Sequence, residues 1–135
     1  MKGSVHPASR LWSFDVWPAL LYTALIFVVG SLPSPPKGPA RLGDKAQHFL
    51  GFALLAWLSC RALRRLCPSF TQRGVWLGAF FASVVLGGVL ELWQGLLTYR
   101  RCELLDWVAD ALGAALGVAL GLAWSVVNRA RTGAP

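Results

Sequence analysis

The chain has 135 residues, of which 56% are hydrophobic and 14% are charged, and its formal net charge is +7. Soluble domains usually carry about a quarter of charged residues, so the composition argues against an ordinary soluble domain and indicates a membrane protein. The basic residues stand in short groups between apolar runs rather than in one stripe with interleaved aromatic residues, which argues against nucleic-acid binding. The length predicts a single domain, residues 1–135.

Four apolar stretches follow one another along the chain. A bilayer core needs about 20 helical residues, with about 17–25 tolerated, and we predict spans at 16–32, 47–63, 75–98 and 106–127. The first stretch ends at a connector rich in proline, from Pro33 to Pro39, and it lacks a signal-peptide cleavage site, so we expect it to be retained. The sequence therefore predicts an all-α polytopic membrane protein, a bundle of four transmembrane helices.

The distribution of basic residues predicts the orientation of this bundle. Four spans place both termini on one side, and of the 13 basic residues eight fall on that side and five on the other. The positive-inside rule then makes both termini cytoplasmic and exposes Cys102 to the outside. The eight are Lys2, Arg10, Arg61, Arg64, Arg65, Arg73, Arg129 and Arg131, and the five are Lys37, Arg41, Lys45, Arg100 and Arg101.

Polar residues interrupt the last three apolar stretches at a common, outward-facing depth. An ionisable residue within a membrane span is costly, so by default it marks a functional site. Several of these residues are spaced three or four apart and therefore share a helix face. We predict a single polar pocket lined by Asp44, Lys45, His48, Glu91, Gln94, Arg100, Asp106 and Asp110.

Glycines lie on the same faces as these polar residues. A small-xxx-small repeat lets helix backbones approach closely, and the acidic face of the fourth stretch continues into one. Because the same face carries carboxylates, we expect packing within the chain rather than a seam between two copies, although a homo-oligomer is left open. The predicted packing residues are Gly87, Gly88, Gly113, Gly117 and Gly121.

Glu91, the deepest carboxylate, has two interpretations. It could be a structural counter-ion, with Arg100 as its best partner and Lys45 as another, or it could act directly in binding or proton handling. His48 with the carboxylates could hold zinc or manganese, but one histidine without a spacing signature does not define a metal site, and the three cysteines form no motif. We therefore predict no metal and no cofactor. The chain also lacks a nucleophile elbow and a glycine-rich phosphate loop.

The order of these motifs resembles the VanZ-like family of small bacterial membrane proteins. The resemblance rests on Asp44-Lys45-x-x-His48, Glu91-Leu92-x-Gln94, Arg100 six residues before Asp106, and Asp106-x-x-x-Asp110-x-x-Gly113-x-x-x-Gly117. It covers about residues 16–127. The family usually has asparagine where this chain has Asp110. The resemblance implies a multi-pass protein of the bacterial inner (plasma) membrane, and the founding member is similar to an accessory factor of teicoplanin tolerance, a form of glycopeptide resistance.

Three functional interpretations follow from the residues and the resemblance. The favoured one is a pocket that binds, or changes access to, a membrane lipid or another lipid-linked or amphiphilic envelope molecule. In this interpretation Arg100 and Lys45 hold an anionic head group. The first alternative is an enzyme acting on a lipid-linked head group, in which His48 with Glu91 or Asp110 does acid–base work. The second is a scaffold subunit whose polar cluster fixes the helix register.

Overall fold

The computed structural model describes residues 14–33 and 43–132, and within these ranges the fold is all-α, as predicted. Four helices follow in chain order: α1 (Trp17–Gly30), α2 (Asp44–Leu66), α3 (Gln72–Leu96) and α4 (Leu104–Thr132). Residues 1–13, 34–42 and 133–135 lie outside the described residues, and with them Lys2, Arg10, Lys37 and Arg41.

Two of the helices, α3 and α4, are long and apolar enough to cross a membrane. Helix α1 is apolar but has only 14 residues. Helix α2 has 23 residues, but it starts at Asp44 and carries Arg64 and Arg65 in its last turn. Its length therefore includes charged residues at both ends. The fold therefore provides two helices of membrane-spanning character and two that differ from them in length or polarity.

Local sequence explains where the helices begin and end. Pro18 lies in the first turn of α1, where a missing N–H leaves no hydrogen bond unmade. Helix α3 is capped by Thr71, whose Oγ1 accepts a hydrogen bond from the Gly74 N–H at 3.1 Å. It ends at Leu96, because Leu97 is extended, and a short turn leads into α4.

Helix α4 lies directly against α2, backbone to backbone. The positions that a Cβ would take at Gly113 and Gly117 are filled by the carbonyl oxygens of Phe49 and Ala53. A side chain at either glycine would force the helices apart. Gly121 differs, because a Cβ there would meet Cys60 Sγ at 3.6 Å, an ordinary van der Waals distance.

Helix α3 also approaches α4 through glycine. A Cβ at Gly87 would lie 2.7 Å from Asp110 Oδ2, and one at Gly88 would lie 3.3 Å from Trp107 Nε1. The Trp107 Nε1 in turn donates a hydrogen bond to the Val84 carbonyl at 2.9 Å. Gly87 and Gly88 thus leave room for the side chains of Asp110 and Trp107, which point from α4 onto α3.

Burial in this bundle differs from that in a typical soluble domain, because several polar side chains are buried beside the apolar core. Six polar or charged side chains of α3 and α4 are buried, namely Ser83, Glu91, Gln94, Asp106, Asp110 and Ser125. Large apolar side chains cover the outside instead: Leu77, Phe81, Val85 and Leu92 on α3 are each more than half exposed. Four of the six buried polar side chains, Glu91, Gln94, Asp106 and Asp110, lie toward one end of the bundle, where α2 and α4 begin and α3 ends.

Candidate functional site

Three helices bring one acidic or basic side chain each to a common point. His48 on α2 lies between Asp110 on α4 and Glu91 on α3, with its Nδ1 2.9 Å from Asp110 Oδ1 and 3.8 Å from Glu91 Oε1. The Asp110 and Glu91 side chains are 0% and 3% exposed, and that of His48 is 10% exposed. Since Gly113 and Gly87 allow the helix backbones to come close, these short side chains can reach one another.

A second group, nearer the surface, is organised by Lys45. Its Nζ lies 3.0 Å from Asp106 Oδ1 and 3.1 Å from Glu103 Oε2, and its side chain is about half exposed. Hydrogen bonding to Asp106, and then to Glu103, raises the pKa of Lys45 above its ordinary value. Lys45 therefore neutralises acidic charge at the start of α4.

Glu91 is not paired with Arg100, contrary to the prediction. Its Oε2 accepts a hydrogen bond from the Glu103 backbone N–H at 2.8 Å, and its other close neighbour is His48. The reason lies in the α3–α4 connector. The backbone N–H of Arg100 donates to the Leu97 carbonyl at 3.1 Å, and this turn directs the Arg100 side chain toward a cavity. The chain then folds back so that Glu103 lies next to Glu91.

Lys45, the other predicted partner of Glu91, is likewise engaged elsewhere. Its two ion pairs are with Asp106 and Glu103. Within the described ranges the ion-pair partner of Asp110 is His48, not Lys45.

The end of α1 is tied to α3 by polar contacts. Gln94 Nε2 donates to the Gly30 carbonyl at 3.1 Å, Trp93 Nε1 donates to Ser31 Oγ at 2.9 Å, and the Tyr99 hydroxyl donates to the Ser31 carbonyl at 2.8 Å. The last carbonyls of a helix have no partner within the helix. The Gln94 and Tyr99 donors therefore satisfy carbonyl oxygens that would otherwise lack a hydrogen bond.

A cavity of about 190 Å³ lies between α1, α2 and α3, next to the three-helix cluster. One part of its wall is apolar and the other part is polar. The apolar part is formed by Leu25, Ile26, Val29, Phe52 and Leu90, and the polar part by Asp44, Gln47, His48, Gln94 and Arg100. Arg100 Nε is buried there and donates no hydrogen bond to any residue in the described ranges.

The structure divides the eight predicted pocket residues between neighbouring positions. His48, Glu91 and Asp110 form the inner cluster, and Lys45 with Asp106 forms the outer ion pairs. Asp44 is exposed at the start of α2, where one of its oxygens can share a small space with His48 and Asp106. The remaining two, Gln94 and Arg100, line the cavity.

Sequence reasoning missed four residues that build this region. Glu103 supplies both a carboxylate to Lys45 and the backbone N–H that fixes Glu91. Ser31, Trp93 and Tyr99 hold α1 in place. A signal existed for Ser31, because it directly follows an apolar helix whose terminal carbonyls need donors. The contact of Glu103 depends on how the connector folds back, and no spacing rule indicates it.

Comparison of the chain with models of protein families, with curated proteins and with solved structures finds no match. Membership of the VanZ-like family therefore stays a prediction from the motifs.

Proposed function

We propose that this protein is an integral membrane protein whose polar pocket binds an amphiphilic molecule with an anionic head group, such as a lipid or a lipid-linked envelope precursor. The observation that carries the proposal is the two-sided cavity between α1, α2 and α3. Its apolar wall suits a hydrocarbon chain, and its polar end, which contains Arg100 and Gln94, suits a head group.

A membrane location is supported by the large apolar side chains on the outside of the bundle. Soluble monomers rarely expose contiguous apolar patches larger than a few hundred Å². Here the outward faces of α1, α3 and α4 carry Leu20, Leu21, Phe81, Val85 and Leu120, each more than half exposed. Lipid is the solvent in which such faces are stable, and in lipid the carboxylates have to lie inside the bundle, as Glu91 and Asp110 do.

Arg100 is the residue that we assign to the head group. The guanidinium group presents a planar fork of donors that matches carboxylate and phosphate oxygens in a bidentate fashion. Its Nε is buried at the polar end of the cavity and is unused by the described part of the chain. An anionic group in the cavity would supply the acceptor.

The size of the cavity limits what it can enclose. Pockets for drug-sized ligands measure about 300–1,000 Å³, whereas this one measures about 190 Å³. It would therefore hold a head group and the first part of a chain, with the remainder lying in the bilayer along α1. We place the pocket toward the outer leaflet of a bacterial inner membrane, on the basis of the basic-residue bias and the motif resemblance, and keep teicoplanin tolerance as one role to be tested.

One observation favours a second candidate function. His48 Nδ1 lies within hydrogen-bond distance of Asp110 Oδ1, and His48 also lines the cavity. A histidine oriented by a buried carboxylate can move a proton, so the same site could act on a lipid-linked head group. A scaffold role, in which the contacts merely hold the helices in register, is the remaining alternative.

Native mass spectrometry of the detergent-purified protein tests the proposal. We expect a retained lipid in the wild type, its loss in Arg100→Gln, and its retention in Arg101→Gln. The neighbouring Arg101 is a matched control, because it is exposed and does not line the cavity. Equal lipid retention in both variants, or none in the wild type, would contradict binding at Arg100. A chemically altered lipid that disappears in His48→Gln would favour the enzyme.

A further inference from the structure

We propose that His48, Glu91 and Asp110 form a site for one divalent transition-metal ion of the zinc class. The proposal does not depend on lipid binding, because it concerns the cluster at the side of the cavity and not the cavity itself. It departs from the sequence-based expectation that the chain binds no metal.

The geometry of the three side chains fits a metal ion. One ligand atom from each residue can be chosen so that all lie within 4.8 Å of one another. Ligands at about 2.0–2.1 Å from a tetrahedral ion lie about 3.3 Å apart. The distances from His48 Nδ1 to Asp110 Oδ1 and Glu91 Oε1, 2.9 Å and 3.8 Å, lie on either side of that value.

Two carboxylate oxygens supply an independent observation. Glu91 Oε1 and Asp110 Oδ2 are buried and accept no hydrogen bond from any residue in the described ranges. An unpartnered carboxylate oxygen away from water costs free energy, and a metal ion is one partner that removes this cost. The Glu91 oxygen concerned is the one that faces His48, whereas the Asp110 oxygen concerned lies toward Gly87.

The charges of the inner cluster point the same way. Two carboxylates with a protonated His48 leave one uncompensated negative charge, whereas two carboxylates with a neutral His48 and a divalent ion leave none. Lys45, the cation of the outer group, already bridges Asp106 and Glu103. A divalent ion therefore neutralises the inner cluster without drawing on the outer one.

Neighbouring groups hold the proposed ligands in position. The Glu103 N–H fixes Glu91 through Oε2, which leaves Oε1 for the ion. Gly87 leaves the space into which the Asp110 carboxylate projects. Such supporting contacts orient the ligands of metal sites. Histidine with two carboxylates suits Zn²⁺, and three protein ligands leave a fourth position for water or a ligand group.

A second trio, Asp44, His48 and Asp106, also has ligand atoms within 4.8 Å of one another. We assign the ion to the inner trio for two reasons. Asp106 Oδ1 already lies 3.0 Å from Lys45 Nζ, and Asp44 is exposed to solvent. The two assignments differ in which carboxylates the ion requires, so they can be separated by substitution.

Zinc titration of the full-length, chelator-treated protein in detergent tests the site. With Zn²⁺ alone and a competing chromophoric chelator, we expect one Zn²⁺ per chain and a higher thermal midpoint when it binds. Loss of supporting residues around metal ligands costs about 10–100-fold in affinity. We therefore expect Asp110→Asn and Glu91→Gln, which remove direct ligands, to weaken binding by more than about 100-fold, and Asp44→Asn to leave it unchanged.

Cobalt substitution gives a reading on the wild type that does not depend on any variant folding. Co²⁺ bound by nitrogen and oxygen in a four-coordinate site gives visible d–d absorption and no thiolate charge-transfer band, whereas binding at a cysteine gives that band. Failure of the wild type to bind Zn²⁺, a thiolate band, or equal Zn²⁺ affinity in wild type, Glu91→Gln and Asp110→Asn would overturn the proposal. Loss of binding in Asp44→Asn would move the ion to the outer trio and overturn it as well.

Discussion

Two nitrogen-bearing side chains, Lys45 and His48, share the acidic side chains of the site. Lys45 contacts Asp106 and Glu103, and His48 contacts Asp110 and Glu91. The Lys45 group is half exposed, where ion pairs contribute little to stability, while the His48 group is buried, where each contact counts for more. The buried cluster of His48, Glu91 and Asp110 therefore matters more to the chemistry of the site than the Lys45 group does.

The raised pKa of Lys45 makes a prediction for alkaline pH. A cation whose pKa is higher in the folded state than the unfolded value of about 10.4 contributes stability below that value and loses it as the pH rises through the folded pKa. We expect a small fall in the thermal midpoint above about pH 10.5. Lys45→Arg should lack this fall, because arginine stays charged. Identical alkaline profiles in the two proteins would show that Lys45 does not carry the effect.

Substitutions of Glu91 separate its structural role from any functional one. In Glu91→Gln the side-chain carbonyl can still accept the Glu103 N–H, so we expect a folded protein with a thermal midpoint close to that of the wild type. Glu91→Ala leaves that partly buried N–H without its partner, at a cost of about 1 kcal/mol. Thermal unfolding in detergent measures both.

The same pair of variants bears on function. If Glu91 acts in binding, Glu91→Gln should lose retained lipid or Zn²⁺ while remaining folded and inserted. A Glu91→Gln protein with normal stability and normal binding would return Glu91 to the incidental residues. A Glu91→Gln protein as unstable as Glu91→Ala would favour the structural role.

Helix α4 owes its position to two glycines rather than to the whole repeat. Replacing Gly113 or Gly117 with alanine places a methyl group on a carbonyl oxygen of α2, and we expect a loss of about 1–3 kcal/mol or misfolding, as for other overpacked positions. Gly121→Ala lies on the same face but meets only ordinary contacts, so it should be tolerated. Thermal midpoints of the three variants in one detergent measure the difference, and equal losses would contradict the backbone contact.

Sequence patterns predict the elements better than they predict the contacts between them. Apolar stretches indicate the helices, and prolines indicate where helices begin or end. The i,i+4 spacing indicates that Asp106 and Asp110 share a face. Which partner each polar side chain finds depends on how far the helices approach and how the connectors fold. The predicted Arg100–Glu91 pair was wrong for this reason. The turn after Leu96 places the backbone N–H of Glu103, and not the Arg100 side chain, next to the Glu91 carboxylate.

At the scale of the whole molecule, the proposed orientation can be tested with the native cysteines. Cys102 is exposed in the α3–α4 connector, and Cys67 lies at the end of α2, at the opposite end of the bundle. In intact cells we expect an impermeant thiol reagent to label a variant that retains only Cys102, and to spare one that retains only Cys67. The reverse pattern would invert the topology.

The partnership of α2 with α4 has a consequence for biosynthesis. Helix α2 is made before α3 and α4, yet His48 finds Asp110, and Lys45 finds Asp106, only on the last helix. If the chain is inserted into a bilayer as we propose, Lys45 and His48 lack these partners until α4 has been synthesised. Helix α2 should therefore stay near the insertion machinery until then. A nascent chain stopped before α4 should therefore be a substrate for membrane quality control, and release from it should coincide with the emergence of Gly113 and Gly117.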